Sequence, residues 1–338
     1  MVIKTIFMFS IMFVPYFLIL FVPMSVWAMW GLTVIMGIGV AGVGMSVMHD
    51  ACHGSYSTKP SVNKIMGYSI NLLGGNRFSW TVQHNILHHT YTNIYGADDD
   101  INIGALIRVS PYCERKWYHR FQHIYAWFLY SFGTLTWVTT KDFKEFNMMY
   151  NQKGAKKGPK RLELFILVST KILFYCYLVL IPYLVLDSAL WQVVIGFLTM
   201  EFVAGFILTV TFQLAHIVEQ NDHHSIDHGP MMPDHFAKHQ LQTTANFARK
   251  NKILSWYLGG LNFQIEHHLF PNISHLHYPK IADIVKKTAE KHQVRYNDFP
   301  TFWNALGSHF RMLKHFGQND MILQPAETNK QANELVSH

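Results

Sequence analysis

Two long apolar stretches, each wide enough for a pair of helices, alternate with polar ones along the chain. Residues 5–48 contain no Asp, Glu, Lys or Arg. A bilayer crossing takes about 20 apolar residues, so this length predicts two spans. Pro23, with Trp27 and Trp30 beside it, marks the turn between them at the far interface. Residues 164–186 predict a third span and residues 189–215, after Asp187, a fourth. A polar insertion, 49–163, separates the pairs and closes on the basic run at 151–161 (NQKGAKKGPKR). Within it, residues 124–138 are apolar but too short and mixed for a crossing, which predicts an interfacial helix lying on the membrane. Residues 216–316 form a second polar region, and 317–338 read as a loosely ordered tail. The expected fold is an all-α integral membrane protein. Four transmembrane helices form two hairpins, 1–48 and 164–215, under a helical cap built from 49–163 and 216–316.

Charge fixes the expected orientation. Only 14% of residues are charged, against about 25% in soluble domains. The formal charge of +7 invites a nucleic-acid reading, but no Lys or Arg falls in 5–48 or 172–237. Positive charge beside apolar spans follows topology and stays cytoplasmic, so no nucleic-acid partner is expected. The chain start, the insertion and the C-terminal region then share the cytoplasmic side and meet anionic lipid headgroups there. A cleaved signal peptide fits poorly, because the apolar run is too long and no small-residue cleavage site closes a short core. The three cysteines, Cys52, Cys113 and Cys176, are widely spaced and suggest neither a disulfide framework nor a CxxC pair. Lys171 and Glu201 fall inside spans, where ionisable residues are functional candidates; they are placed to pair, or Lys171 snorkels to the cytoplasmic edge.

The chain holds 21 histidines, and this abundance limits what a pair can mean. Chance alone supplies roughly one HxxxH pair in such a sequence. Five occur: His49/His53, His84/His88, His119/His123, His224/His228 and His235/His239. The triplet HxxxHH, expected less than about a tenth of a time, occurs at His84, His88 and His89. A second doublet closes Gln264, His267, His268. On a helix, i and i+4 share a face and the next residue turns about 100° away. His84 and His88 are thus predicted to share one metal while His89 turns to another, and doublets suit a binuclear site. His49 and His53 begin at the last turn of the second span, and His216 follows the fourth. These positions can converge at the cytoplasmic edge. The pairs at His119, His224 and His235 lack such anchoring and read as bystanders, with His223 in the same solvated run. All-imidazole ligation suits zinc, copper, iron or nickel alike. Zinc-protease chemistry would want HExxH, which is absent.

The boxes HDACH (49–53), HNILHH (84–89) and QIEHH (264–268) resemble the three histidine boxes of the membrane fatty acid desaturase family. The surrounding text, QHNILHHTYTNIYGADDD and GGLNFQIEHHLFPNISH, is similar as well. The resemblance runs over roughly 30–310 and includes box order and span placement. It implies two irons as cofactors, with O2 as co-substrate. Carried onto this chain, the ligands are His49, His53, His84, His88, His89, His267 and His268, and His216 fits the position of the family's further histidine. Gln264 stands where many relatives have histidine. It resembles the front-end subgroup, which includes linoleoyl-CoA desaturases, and is a candidate ligand or hydrogen-bond partner of one.

Family resemblance implies a fatty acyl-CoA or acyl-lipid substrate, into which a cis double bond is introduced. No HPGG box of a fused cytochrome b5 domain is found, so a separate donor of cytochrome b5 or ferredoxin type is expected on the basic cytoplasmic face. The implied setting is a multi-pass protein of a bacterial inner membrane, in preference to the endoplasmic reticulum. Asp50 is a candidate acceptor from a ligating imidazole, or a helix-terminal cap. Asp98, Asp99 and Asp100 read as structural or as partners of ligands. Trp80, Phe263 and Phe270 are candidates to line an acyl tunnel, or else apolar core. Two alternatives share these residues. A hydroxylase or related oxygenase would use the same scaffold, and a histidine-rich metal carrier would need ligands spread through the bilayer, where the spans have almost none.

Overall fold

The computed structural model describes residues 1–101, 105–227 and 235–319. Four helices are long and apolar enough to cross a membrane: Val2–Phe21, Val26–Cys52, Lys160–Val185 and Leu190–His216. The second and fourth have 27 residues each. At 1.5 Å per residue each is about 40 Å long, some 10 Å more than a hydrocarbon core. Their surplus carries box-bearing turns beyond the apolar layer. Ser25 caps the second helix by accepting from the Ala28 N–H.

The second helix is wedged between the first and the fourth. Small residues allow this. A Cβ on Gly39 would stand 2.6 Å from the Met12 backbone nitrogen, and one on Gly37 2.6 Å from the Met200 carbonyl oxygen. Close backbone approach through small residues is how helices associate where lipid removes the hydrophobic drive. The third helix closes on the other side through Phe174 and Leu178, which pack with Met36, Val40 and Met200.

Polar regions fold into one layer at the histidine-bearing ends. The insertion contributes Pro60–Gly67, Arg77–Trp80 running into a π-helical stretch Thr81–His88, and Asp142–Asn151. The C-terminal region contributes Phe236–Thr243, Gln264–Leu269, Tyr278–Lys291 and Phe302–Gln318. Two parallel two-residue strand pairs tie these together: Ile94–Tyr95 with His224–Ser225, and Asn246–Phe247 with Asp298–Phe299. Their core rests on the end of the fourth helix, where Val210, Leu214 and Ile217 meet Ala126, Tyr130, Leu313 and Phe316. The segment expected to be a tail, 317–338, is described to residue 319; Gln318 ends a helix and the rest lies outside the described residues.

Two expectations change. Residues 124–138 are not one helix lying flat. Gln122–Tyr130 ends at Ser131, and a second helical stretch starts at Gly133. Lys171 does not pair with Glu201. Its ammonium lies 2.8 Å from Asp142 and donates to the Trp137 and Gly74 carbonyls. The Asp142 carboxylate is buried with it, and a buried cation takes the nearest anion that can share its desolvation. Glu201 is 1% exposed, and neither carboxyl oxygen has a hydrogen-bond partner among the described residues.

Candidate metal centre

Eight imidazoles converge where the second and fourth helices meet the polar layer. His49 ends the second helix and His53 caps it. His84, His88 and His89 come from the insertion, His216 closes the fourth helix, and His267 and His268 lie on Gln264–Leu269. All eight are buried. His49, His53, His84 and His267 each place one ring nitrogen within 4.8 Å of the others, as do His88, His216 and His268. His89 groups with His267 and His268 within the same limit, and its ring stands 4.7 Å from that of His53. Two sets therefore lie side by side, with His89 between them.

His84 and His88 remain neighbours: with Asp100 they place one ligand atom each within 4.8 Å, and each also belongs to one of the two histidine sets. The stretch that carries them, Thr81–His88, is π-helical, with the His89 N–H donating to the His84 carbonyl.

The Nε2 atoms of all eight histidines are buried and have no hydrogen-bond partner among the described residues. Buried polar nitrogens need a partner, and eight together fit bound metal. Burial first, then the crowding of neighbouring imidazoles, holds His53, His89, His267 and His268 well below the ordinary imidazole range. His84 is lowered too, although Asp100 opposes its burial. Neutral rings with free Nε2 lone pairs are what a metal ion requires.

The far side of the rings is also satisfied. His88 Nδ1–H donates to Asp98 at 3.0 Å, and His84 Nδ1–H donates to Asp100 at 3.0 Å. His268 Nδ1–H donates to the Gln240 amide oxygen at 2.9 Å, and His267 Nδ1 meets the Tyr278 hydroxyl at 3.1 Å. Each set thus has one ring backed by a carboxylate and one backed by a neutral group. Such partners fix tautomer and ring direction and tune ligand basicity. His88 is raised from its ordinary value: burial opposes the charge, but the Asp98 and Asp100 carboxylates favour it.

Backbone packing sets the third box against the second helix. Gly259, at φ +62°, lies so close that a Cβ would meet the Met45 carbonyl and stand 2.6 Å from Ser46 Cα. Asn246 then accepts from the Ile265 N–H at 3.0 Å and donates to Glu266 at 2.8 Å. Burial pushes the Glu266 carboxyl up to about 7, against the Asn246 and Tyr296 hydrogen bonds.

Asp50 faces away from the eight rings. It accepts from His275 Nδ1–H at 2.8 Å, while Lys4 donates to His275 Nε2 at 2.8 Å. Ser274 adds a bond to the same carboxylate. Gln264 is buried at the start of its short helix. Trp80 stacks on His84 with centroids 4.5 Å apart and turns its edge to His49 and His53. Phe263 is packed with Tyr278 and Ala282, whereas Phe270 is 39% exposed. An apolar cavity of about 150 Å³ involves none of the three. Tyr16, Met36, Phe197 and Met200 line it, and Met36 precedes His49 by 13 residues, about 20 Å of helix.

The remaining histidine pairs divide. His119 is a local brace, accepting from the Lys116 N–H and bonding the Ala105 carbonyl. His123 sits edge-on to Phe310 and His223 edge-on to Phe316, outside the cluster. His224 lies 5.5 Å from His239, and His228 is outside the described residues. His239 is closer to the chemistry than a bystander: it bonds the Thr92 carbonyl, and Gln240 beside it backs His268. Gln240, Tyr278 and His275 carry no spacing signal. Of the carboxylates the sequence offers as ring partners, the run of three aspartates supplies two, Asp98 and Asp100.

Against known proteins, the profile of the fatty acid desaturase family matches residues 25–300. An sn-1 linoleoyl-lipid 6-desaturase of Arthrospira platensis is 36% identical over 89% of this chain and 81% of its own length. One of Synechocystis is 35% identical over 84% of this chain and 79% of its own. An acyl-lipid (8-3)-desaturase of Physcomitrium patens is 34% identical over 96% and 68%.

Proposed function

The chain belongs to the fatty acid desaturase family, and from that premise we propose an O2-dependent acyl-lipid desaturase of front-end type, working through two irons held by the eight converging histidines. That it is a fatty acyl desaturase, an oxidoreductase of lipid metabolism, follows from its relatives. The observation that carries the metal assignment is the set of eight buried, unpartnered Nε2 atoms. His49, His53, His84 and His267 would hold one iron and His88, His216 and His268 the other, with His89 between. Reduction of O2 at such a pair supplies the oxidising power to remove two hydrogens from adjacent methylenes.

The protein's own groups then orient and exclude. Asp98 and Asp100 hold His88 and His84 with Nε2 facing inward, and Gln240 does the same for His268. Trp80 packs apolar surface against three rings and keeps water from that side. A methylene chain has no polar handle, so apolar walls must set which carbons approach. Kinship with linoleoyl-lipid 6-desaturases favours an acyl-lipid carrier and an 18-carbon chain already unsaturated. Gln264 replaces an imidazole with an amide that can accept or donate without competing for charge. We infer that electrons come from a carrier of cytochrome b5 or ferredoxin type on the basic face, which the excess of Lys and Arg beside the spans assigns to the cytoplasmic side.

Expression in a host with simple lipids, fed defined fatty acids, tests this directly. New double bonds on the carboxyl side of an existing one, abolished by His88→Ala, are expected. A hydroxylated product without loss of two hydrogens would overturn it.

A further inference from the structure

Residues 121–140 contain no Asp, Glu, Lys or Arg, yet they belong to the insertion rather than to a span. Their path follows two spans in turn. Going out, Ala126 and Tyr130 pack with Leu214 and Ile217 of the fourth helix. Next, Gly133 lies against Thr209, and Gly205 against the Ser131 carbonyl. Thr134 then donates to the Glu201 carbonyl at 2.8 Å. Coming back, Val138 packs with Phe174 of the third helix, and Tyr175 donates to the Val138 carbonyl at 3.3 Å. Asp142 pairs with Lys171, and Phe146 packs with Leu167. The chain descends one span and climbs another.

Two registers give the depth independently. Hydrocarbon takes about 20 residues of a span. Counted from Leu190, its near edge falls around residue 210, so the level of Glu201 is about 13 Å below it. Counted from Val185, the edge falls around residue 165, so Tyr175 and Val138 are about 15 Å below it. The two depths agree.

The outer face suits lipid. Ile124 and Phe128, one turn apart, are 65% and 63% exposed. The exposed polar side chains are threonines whose hydroxyls are already used: Thr136 donates to the Gly133 carbonyl, Thr139 to Leu135 and Thr140 to Thr136. At the bend the Ser131, Phe132 and Thr136 N–H groups all find carbonyls. Hydroxyls and N–H groups met by protein carbonyls in this way suit hydrocarbon, because no water is there to serve them. The face also continues the apolar surface of the fourth helix through Phe132, 4.7 Å from Phe202.

We propose that residues 121–140 form a re-entrant hairpin sunk in the membrane leaflet on the imidazole side, with lipid acyl chains as the partner of its outer face. The buried Asp142–Lys171 pair is then its anchor, closing the return limb onto the third span. Histidine ligation plays no part in the argument.

The unsubstituted enzyme in nanodiscs, photolysed with a phospholipid carrying a diazirine deep in its acyl chain, gives the first readout. Adducts are expected on Phe128 and Phe132 as well as on the spans. Adducts on the spans with none on 121–140, or chain-to-chain cross-links covering this face, overturn the proposal. A second readout uses spin labels at Phe128→Cys and Thr136→Cys. Their oxygen-to-nickel collision ratio is expected to match Ile195→Cys on the fourth helix; a ratio matching Lys286→Cys on the polar layer overturns it.

Discussion

Replacing Asp98 by Asn keeps the volume and removes a charge from beneath His88. Both carboxylate oxygens are occupied by donors. Oδ2 accepts from His88 Nδ1–H and from the Asn93 N–H at 3.0 Å, while Oδ1 accepts from the Asp100 N–H at 3.0 Å. An amide nitrogen on either side therefore faces a backbone N–H. One donor is left bare in a buried place, which costs about 1–3 kcal/mol of stability. The imidazole also loses the anion that raises its basicity, and removal of such partners lowers metal affinity by roughly 10–100-fold, or about 1.4–2.7 kcal/mol. Both effects are expected in Asp98→Asn. Affinity is read as iron retained per protein across a chelator series, and stability as the melting temperature of stripped enzyme. Asp99→Asn serves as the control, because no ring nitrogen bonds to Asp99 among the described contacts. Iron retention in Asp98→Asn within about twofold of the parent would refute the reasoning.

Other outcomes follow from the same geometry. His216→Ala should lose one of two irons while His49, His53, His84 and His267 keep theirs; a full complement by metal analysis would remove His216 from the ligands. Asp142→Asn should cost about 3–5 kcal/mol by stranding Lys171, and Asp142→Asn with Lys171→Met should recover much of it, as thermal unfolding in detergent would show. His309, which donates to the Ile217 carbonyl and accepts from Tyr130, is pushed by burial down to about 4. An unfolded chain takes up that proton near 6.5 and the folded one does not, so stability falls as pH drops from about 6.5 to 4, by up to about 1.4 kcal/mol per pH unit. Stripped His309→Gln should show a shallower slope than the parent over that window, and an equal slope would exclude His309.

Period and charge made the spans legible, because lipid imposes one rule on every residue of a crossing helix. The expected third span, 164–186, and the observed Lys160–Val185 differ only where the basic end fades into the polar layer. The second box stood out as well, since an HxxxHH triplet exceeds chance at that histidine frequency. What escaped was anything set by tertiary approach. Thr81–His88 takes π-helical winding, which has no composition signal. Gln240 and Tyr278 reach their rings across 28 and 11 residues, and Asp50 reaches His275 across 225. Residues 124–138 read as one helix because the break at Ser131 has no Pro or charge to mark it.

The chain from Lys4 through His275 to Asp50 has a bearing on biogenesis. Its members are far apart along the chain: His275 follows Lys4 by 271 residues. During synthesis the first two helices can insert and pair, but the ammonium of Lys4 and the carboxylate of Asp50 must wait for the third box to arrive. Until then no set of imidazoles is complete, because His267 and His268 arrive with the same segment. Neither set of imidazoles can therefore close on a metal before the third box has been made and has folded back onto the second helix.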